Sequence, residues 1–189
     1  MTETSKRLEL RSILSELFKE SGDDLKEVVY LVQGKIAPDV EGKEIGIADK
    51  TIIEILSELS GKSENEVIKL IVKNGDLGNV ARSIREMNKQ QLLYQEEVTV
   101  NHVFYSLLLK TQKKGAGSSN AKKEILKSLM LLGSPDDAKY LVRISLGKLR
   151  LGVADSTILS GLVDAFDLAN LSKEIESFYN FNPDLGEIS

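Results

Sequence analysis

Three short markers recur in order along the chain, and this recurrence constrains the fold more than any other feature. Tyr30-Leu31-Val32, followed by Gly34-Lys35-Ile36, returns as Tyr140-Leu141-Val142, followed by Gly147-Lys148-Leu149. GIADKTI at 46–52 returns as GVADSTI at 152–158, and Asp76-Leu77-Gly78 returns as Asp184-Leu185-Gly186. The separations are 110, 106 and 108 residues, so order and spacing are both kept, which chance matches do not do. Each copy opens with a charged amphipathic segment, at 5–18 and at 119–132. The chain, a single domain over 1–189, is therefore expected to hold two related, pseudo-symmetric halves at about 5–78 and 119–189, with a connector at about 87–118. Two copies are too few for an open solenoid, so the halves are expected to pack together and present equivalent turns.

The hydrophobic pattern sets the class. Leu8, Leu10, Ile13, Leu14, Leu17 and Phe18 form a stripe at helical spacing, Val103, Leu107 and Leu108 help form another, and no alternating strand pattern appears. Ser63 with Glu66 has the order of a capping box, while Ser134-Pro135-Asp136-Asp137 reads as a cap, a first-turn proline and first-turn acids. With 3 prolines and many short Gly or Ser breaks, the expectation is an all-α, multi-helix domain of about ten to twelve helices on short loops.

Composition narrows the chemistry. The chain has no cysteine and 1 histidine, which excludes disulfides and thiolate metal sites. No apolar run approaches the about 18 residues of a membrane span, so no membrane role is expected. His102 is expected to be structural, and no nucleophilic triad is visible; catalytic and metal-ligating residues are expected to be absent. The net charge of −4 is unevenly spread. Between 110 and 153 stand ten basic residues (Lys110, Lys113, Lys114, Lys122, Lys123, Lys127, Lys139, Arg143, Lys148, Arg150) against Glu124, Asp136 and Asp137, a local excess of +7 that leaves −11 elsewhere. A basic face of this kind attracts a polyanion whatever the total charge, because binding releases condensed counterions. A solvated charged face is the other reading.

The segment LVRISLGKLRLGVADST at 141–157 concentrates these features. Lys148 and Arg150 flank Leu149 and, in extended backbone, share one side; Gly147 and Gly152 permit tight turns and close approach. Asp155 or Ser156 is placed to cap a helix whose first amides, with Thr157, face a phosphate. The matching first-half region offers Lys35, Lys43, Gly46, Lys50 and Thr51, diluted by Asp39, Glu41 and Glu44. Ser118 and Ser119, ahead of Lys122, Lys123 and Lys127, form a further candidate phosphate contact; Gly115-Ala116-Gly117-Ser118 lacks the Gly-Lys-Ser/Thr ending of a P-loop, so ATP is not expected to bind there. Gln90-Gln91-Leu92-Leu93-Tyr94 is either a plug for a partner's apolar pocket or a helix packed on the core. Tyr94, Phe104, Tyr105 and Tyr179 are expected to be core or half-buried.

GKLRLGVADST closely resembles the Gly-Lys-Leu-Arg-(Leu/Ile)-Gly segment in the DNA-binding domain of archaeal-type ATP-dependent DNA ligases. The Gly-x-Gly-Ser stretch with following lysines at 115–123, the Tyr-Leu-Val-Gln-Gly-Lys-Ile-Ala-Pro run at 30–38 and the closing Pro-Asp-Leu-Gly at 183–186 are similar to that family too. The resemblance covers nearly the whole chain. It implies an all-helical, pseudo-twofold domain that grips the minor groove and phosphate backbone around a nick without reading sequence, in an enzyme that seals nicks in replication, repair and recombination. It implies DNA contacts at Lys148, Arg150, Gly152, Lys35, Gly46, Ser119 and Lys122, to which the residue pattern itself adds Thr157, Arg143, Lys50 and Thr51. By the same resemblance Gln90, Leu93 and Tyr94 occupy the place of a short sliding-clamp motif, with Leu93 replacing the usual aromatic. The Lys-x-Asp-Gly adenylation motif is absent, so this chain is expected to be an inactive fragment, a cytoplasmic, nucleoid-associated monomer, with ATP and Mg bound by catalytic domains outside it. The competing reading is a helical-repeat adaptor for a protein partner with no nucleic-acid role.

Overall fold

A computed structural model describes residues 2–43, 45–88, 98–111, 118–149 and 153–189. Among these residues there are eleven α-helices and no strand, in agreement with the all-α expectation. No helix among them is long and apolar enough to cross a membrane. The chain divides into two compact units, one formed by 1–43 with 150–189 and the other by the contiguous stretch 44–149. These boundaries do not coincide with the sequence halves: each unit takes elements from both.

Unit 1 holds α1 (Thr2–Glu20), α2 (Leu25–Gln33), α9 (Asp155–Ala165), α10 (Ser172–Phe181) and α11 (Leu185–Ile188). Helix α1 packs along α9, and Gly161 lets them approach: a Cβ there would stand 3.0 Å from the Leu14 Cβ and 3.3 Å from the Phe18 ring. Leu14, Phe18, Ile158, Leu162 and Val163 are buried around this crossing. Only part of the α1 stripe is used, since Leu8, Ile13 and Leu17 are exposed. A stripe six residues wide exceeds what one partner helix covers. Helix α2 packs on α11, where the Tyr30 hydroxyl donates to the Asp184 carboxylate at 2.8 Å.

Unit 2 holds α3 (Asp49–Ser60), α4 (Glu64–Asn74), α5 (Leu77–Asn88), α6 (Val100–Thr111), α7 (Ser118–Leu132) and α8 (Pro135–Ser145). Its core gathers Ile52, Ile55 and Leu56 of α3, Val80 and Ile84 of α5, Leu126 and Met130 of α7, and Leu141 and Val142 of α8. Helix α6 lies within the expected connector, on the helical stripe read there, and packs against α7, with Phe104 and Leu107 buried. Both capping expectations hold. Ser63 and Glu66 cap each other's backbone at the start of α4, and Ser134 and Asp137 do the same at α8, where Pro135 takes the first turn. Arg85 is almost fully buried and donates to the carbonyls of Leu131 and Gly133 at 2.9 and 3.1 Å, placing a cation on the C-terminal end of α7 where the helix dipole favours one.

The two Gly-Lys turns take the same local conformation. Gly34 and Gly147 both adopt left-handed backbone (φ 74° and 62°), with the following lysine amide bonded to the carbonyl five residues back, Lys35 to Tyr30 and Lys148 to Arg143, each at 2.8 Å. Only glycine takes that φ without strain, and the pattern closes the last turn of α2 and stops the chain after α8. Helices α3 and α9 start alike too: their N-caps, Ala48 (φ −78°, ψ 152°) and Ala154 (φ −75°, ψ 150°), are extended and carry no side-chain cap.

Candidate nucleic-acid interface

Most of the described candidate residues lie in unit 2, around the start of α3. Gly46 is exposed with left-handed backbone (φ 54°), two residues before the Ala48 cap. Lys50 is exposed on the first turn and Thr51 is half-buried beside it. Lys148, just past the Gly147 turn, reaches this helix start and donates to the Asp49 carboxylate at 2.7 Å; both side chains are about half exposed. Lys122 of α7 donates to the Ile45 carbonyl at 3.1 Å, next to Gly46. One helix entry thus collects Gly46, Lys50, Thr51, Lys122 and Lys148, drawn from segments about 70 to 100 residues apart in the sequence.

A cleft of about 360 Å³ opens beside it, lined by Ile53, Ile71, Leu77 and Leu146 with the Lys148–Asp49 and Arg143–Asp76 pairs. Arg143 donates to Asp76 at 2.6 Å and is partly buried, so its guanidinium holds the start of α5 in place and is not a free surface cation. Burial raises the Asp76 carboxyl, but the Asn79 backbone N–H and Arg143 outweigh it and leave the group below its ordinary value. Gly78 sits beneath Arg143: a Cβ there would come within 2.9 Å of the Lys139 carbonyl.

Three expectations change. Lys123 and Lys127 do not add free positive charge, because both pair with Glu58 at 2.6 Å, and Lys123 reaches Glu54 as well. Hydrogen bonds from the two lysines hold Glu58 below the ordinary carboxylate range, and Glu58 in turn raises both. Neither Asp155 nor Ser156 caps α9. The Asp155 carboxylate accepts from Gln33 at 3.1 Å and Tyr179 at 2.7 Å, and the Ser156 hydroxyl accepts from Arg7, so Ala154 is left as a cap without a side-chain acceptor. The Tyr179 hydroxyl is accordingly pushed up to about 12, with the Asp155 hydrogen bond as the main cause. The Thr157 side chain is buried (4% exposed), leaving it no surface from which to meet a phosphate.

Lys35 lies in unit 1 and pairs with Asp39 at 2.7 Å one turn away. Arg150 and Gly152, and the Gln90, Leu93 and Tyr94 segment, lie outside the described residues, as does Gly115–Gly117; Ser119 is placed on the first turn of α7 by its backbone alone. His102 is exposed on α6, and no cluster of three or more potential metal ligands exists among the described residues. Phe104 is buried, Tyr105 is about half exposed, and Tyr179 is half-buried. Sequence reasoning missed Asp49. Its partner Lys148 is 99 residues away, and the only available signal was the shared Ala-Asp helix start.

A family model described as DNA ligase N terminus matches residues 1–163. The curated proteins similar to this chain include a DNA ligase of Thermoplasma volcanium, 43% identical over 189 residues, and one of Cenarchaeum symbiosum, 38% identical over 191; each alignment covers 100% of this chain and 32% of the relative. A DNA ligase 2 of Thermofilum pendens is 37% identical over 195 residues, covering 98% of this chain and 32% of its own length. The chain belongs to the DNA ligase N-terminus family. It spans about a third of the length of these relatives.

Proposed function

We propose that this chain is the region of an ATP-dependent DNA ligase that embraces duplex DNA around a nick, through phosphate and minor-groove contacts that do not read sequence. The observation that carries the reading is the helix entry of unit 2, where an exposed left-handed glycine, an uncapped helix start and the Lys50, Lys122 and Lys148 side chains meet in a chain of the DNA ligase N-terminus family. Bare backbone amides, a helix N-terminus and lysines are phosphate-contacting groups, and none of them distinguishes one base from another. The recurring turns support a further element of the reading, that the two sequence halves are structural duplicates, each unit carrying one copy of the Gly-Lys turn and one uncapped Ala-Asp helix start from the other half. By the family resemblance Lys35, Arg150 and Gly152 are proposed as DNA contacts as well. Nick sealing, ATP and Mg binding belong to the rest of the parent enzyme, which acts in replication, repair and recombination as a monomer in the cytoplasm at the nucleoid; the Gln90, Leu93 and Tyr94 segment is its contact for a sliding clamp.

The test is anisotropy binding to nicked duplex, intact duplex and single strand across a salt series. With roughly five phosphate contacts, duplex affinity is expected to fall by about two to three decades between roughly 50 and 200 mM salt, independent of sequence. Replacing both Lys50 and Lys148 by alanine should weaken every duplex alike and reduce the salt slope by about two. Absence of duplex binding at low salt would overturn the reading and return the chain to the class of protein-binding adaptors.

A further inference from the structure

Of the lysines at the helix entry of unit 2, Lys148 already holds a carboxylate, whereas Lys122 donates to the Ile45 carbonyl, and several lysines elsewhere are paired as well. Lys148 holds Asp49, Lys35 holds Asp39, Lys43 holds Glu41, and Lys123 and Lys127 hold Glu58. Among these pairs Lys148–Asp49 is placed differently. It joins the Gly147 turn to the first residue of α3, on the helix entry itself, and each partner's side chain is a little over half exposed (52% and 56%). The equivalent aspartate in unit 1, Asp155, is held by two uncharged donors, Gln33 and Tyr179, and so immobilises no cation. Among the described residues Lys148 is the hydrogen-bonding partner of Asp49, and the carboxylate does not cap the helix it begins, since α3 starts from Ala48 without a side-chain cap.

We propose that Asp49 is an internal competitor for phosphate, a carboxylate that occupies Lys148 in the free protein and must be displaced when a DNA backbone phosphate takes its place. The inference rests on the duplex-binding reading. Its physical basis is that a carboxylate and a phosphate oxygen bind the same ammonium, so the lysine must exchange one for the other. The exchange returns little net energy for an isolated anion, because an exposed ion pair is worth only a fraction of what several simultaneous phosphate contacts provide. A lone phosphate therefore does not displace Asp49, whereas a backbone held at several points does.

The test is a double-mutant cycle on the whole chain: wild type, Asp49→Asn, Lys148→Ala and the double variant, each titrated with fluorescein-labelled nicked duplex across a salt series, with thermal melts to establish folding. Asp49→Ser, which suits the first turn of a helix, serves as a second replacement. Removal of the carboxylate is expected to tighten duplex binding by about two- to five-fold when Lys148 is present, and by less than half that gain when it is absent. The salt slope should steepen slightly, by a fraction of one, since no freed carboxylate is left to take up a cation when DNA binds. Equal gains in the two backgrounds would mean that Asp49 acts only through its long-range charge and would overturn the proposal, as would weaker binding by folded Asp49→Asn and Asp49→Ser. Both of those results leave the duplex-binding reading intact. Failure of all four proteins to bind duplex at low salt would remove that reading and this inference with it.

Discussion

Gly186 sits against the Tyr30 ring with no room for a Cβ, and the Tyr30 hydroxyl donates to the neighbouring Asp184 carboxylate, which also accepts from the Gly186 and Glu187 amides. Ring, carboxylate and bare glycine make one interlocked contact between α2 and α11. Replacing Gly186 by alanine should cost about 1–3 kcal/mol, because the added methyl meets a buried ring that cannot swing aside. Tyr30→Phe keeps the packing and removes a donor to a carboxylate, an expected loss of about 1.5–3 kcal/mol. Urea unfolding of both variants checks the order and size; a stability equal to wild type for Gly186→Ala would show that the helices separate freely. In unit 2 the corresponding Asp-Leu-Gly places Asp76 and Gly78 against Arg143 and Lys139 of α8. The sequence marked both triplets as repeated but said nothing of what they touch. Tyr30 and Asp184 are 154 residues apart, and a pattern of spacings along one segment carries no record of its opposite wall.

Between elements, charge follows the same division. The capping boxes at Ser63 and Ser134 were readable because every participant lies within one turn, and the helices were readable because apolar spacing is local. What neither revealed was that α3 lies beside α7, so that Glu54 and Glu58 neutralise two of the lysines counted toward a basic face. Charge counted along a sequence overstates charge available on a surface when the opposing acids come from another segment. These links also set the acid response. Asp76, Glu58 and Asp164, the last beside Arg11, all titrate below their ordinary values of 3.8 to 4.5. A depressed carboxyl contributes stability that is complete above its ordinary value and is lost as the pH falls through the lower, folded one. Wild-type stability is therefore expected to hold near pH 6 and to decline below about pH 4. Asp76→Asn should begin lower at neutral pH and lose less on acidification. Denaturant melts at matched ionic strength read both slopes, and parallel curves would exclude Asp76 from the acid response.

For the whole molecule, the division into units has a direct test. Unit 2 is contiguous over 44–149 and carries its own core, whereas unit 1 joins 1–43 to 150–189. A fragment of residues 44–149 is expected to melt cooperatively with high helix content by circular dichroism, and a fragment of residues 1–43 to show little helix, because Leu14 and Phe18 are buried against α9. A non-cooperative 44–149 fragment would show that unit 2 cannot stand alone. The recurring markers led to an expectation of two sequence halves; they did not indicate that each compact unit would combine segments from both, since similarity between segments says nothing of which segments are neighbours. That combination bears on synthesis. As the chain leaves the ribosome, α1 and α2 emerge well ahead of the helices that cover them, α9 and α11, which follow more than a hundred residues later. At the usual roughly 5–20 residues per second, α1 and α2 wait about seven to thirty seconds with Phe18 and Val29 uncovered, while the segment made after them folds. The first helices of unit 1 to be translated are thus among the last to be enclosed, and newly made chains are most open to chaperone capture there.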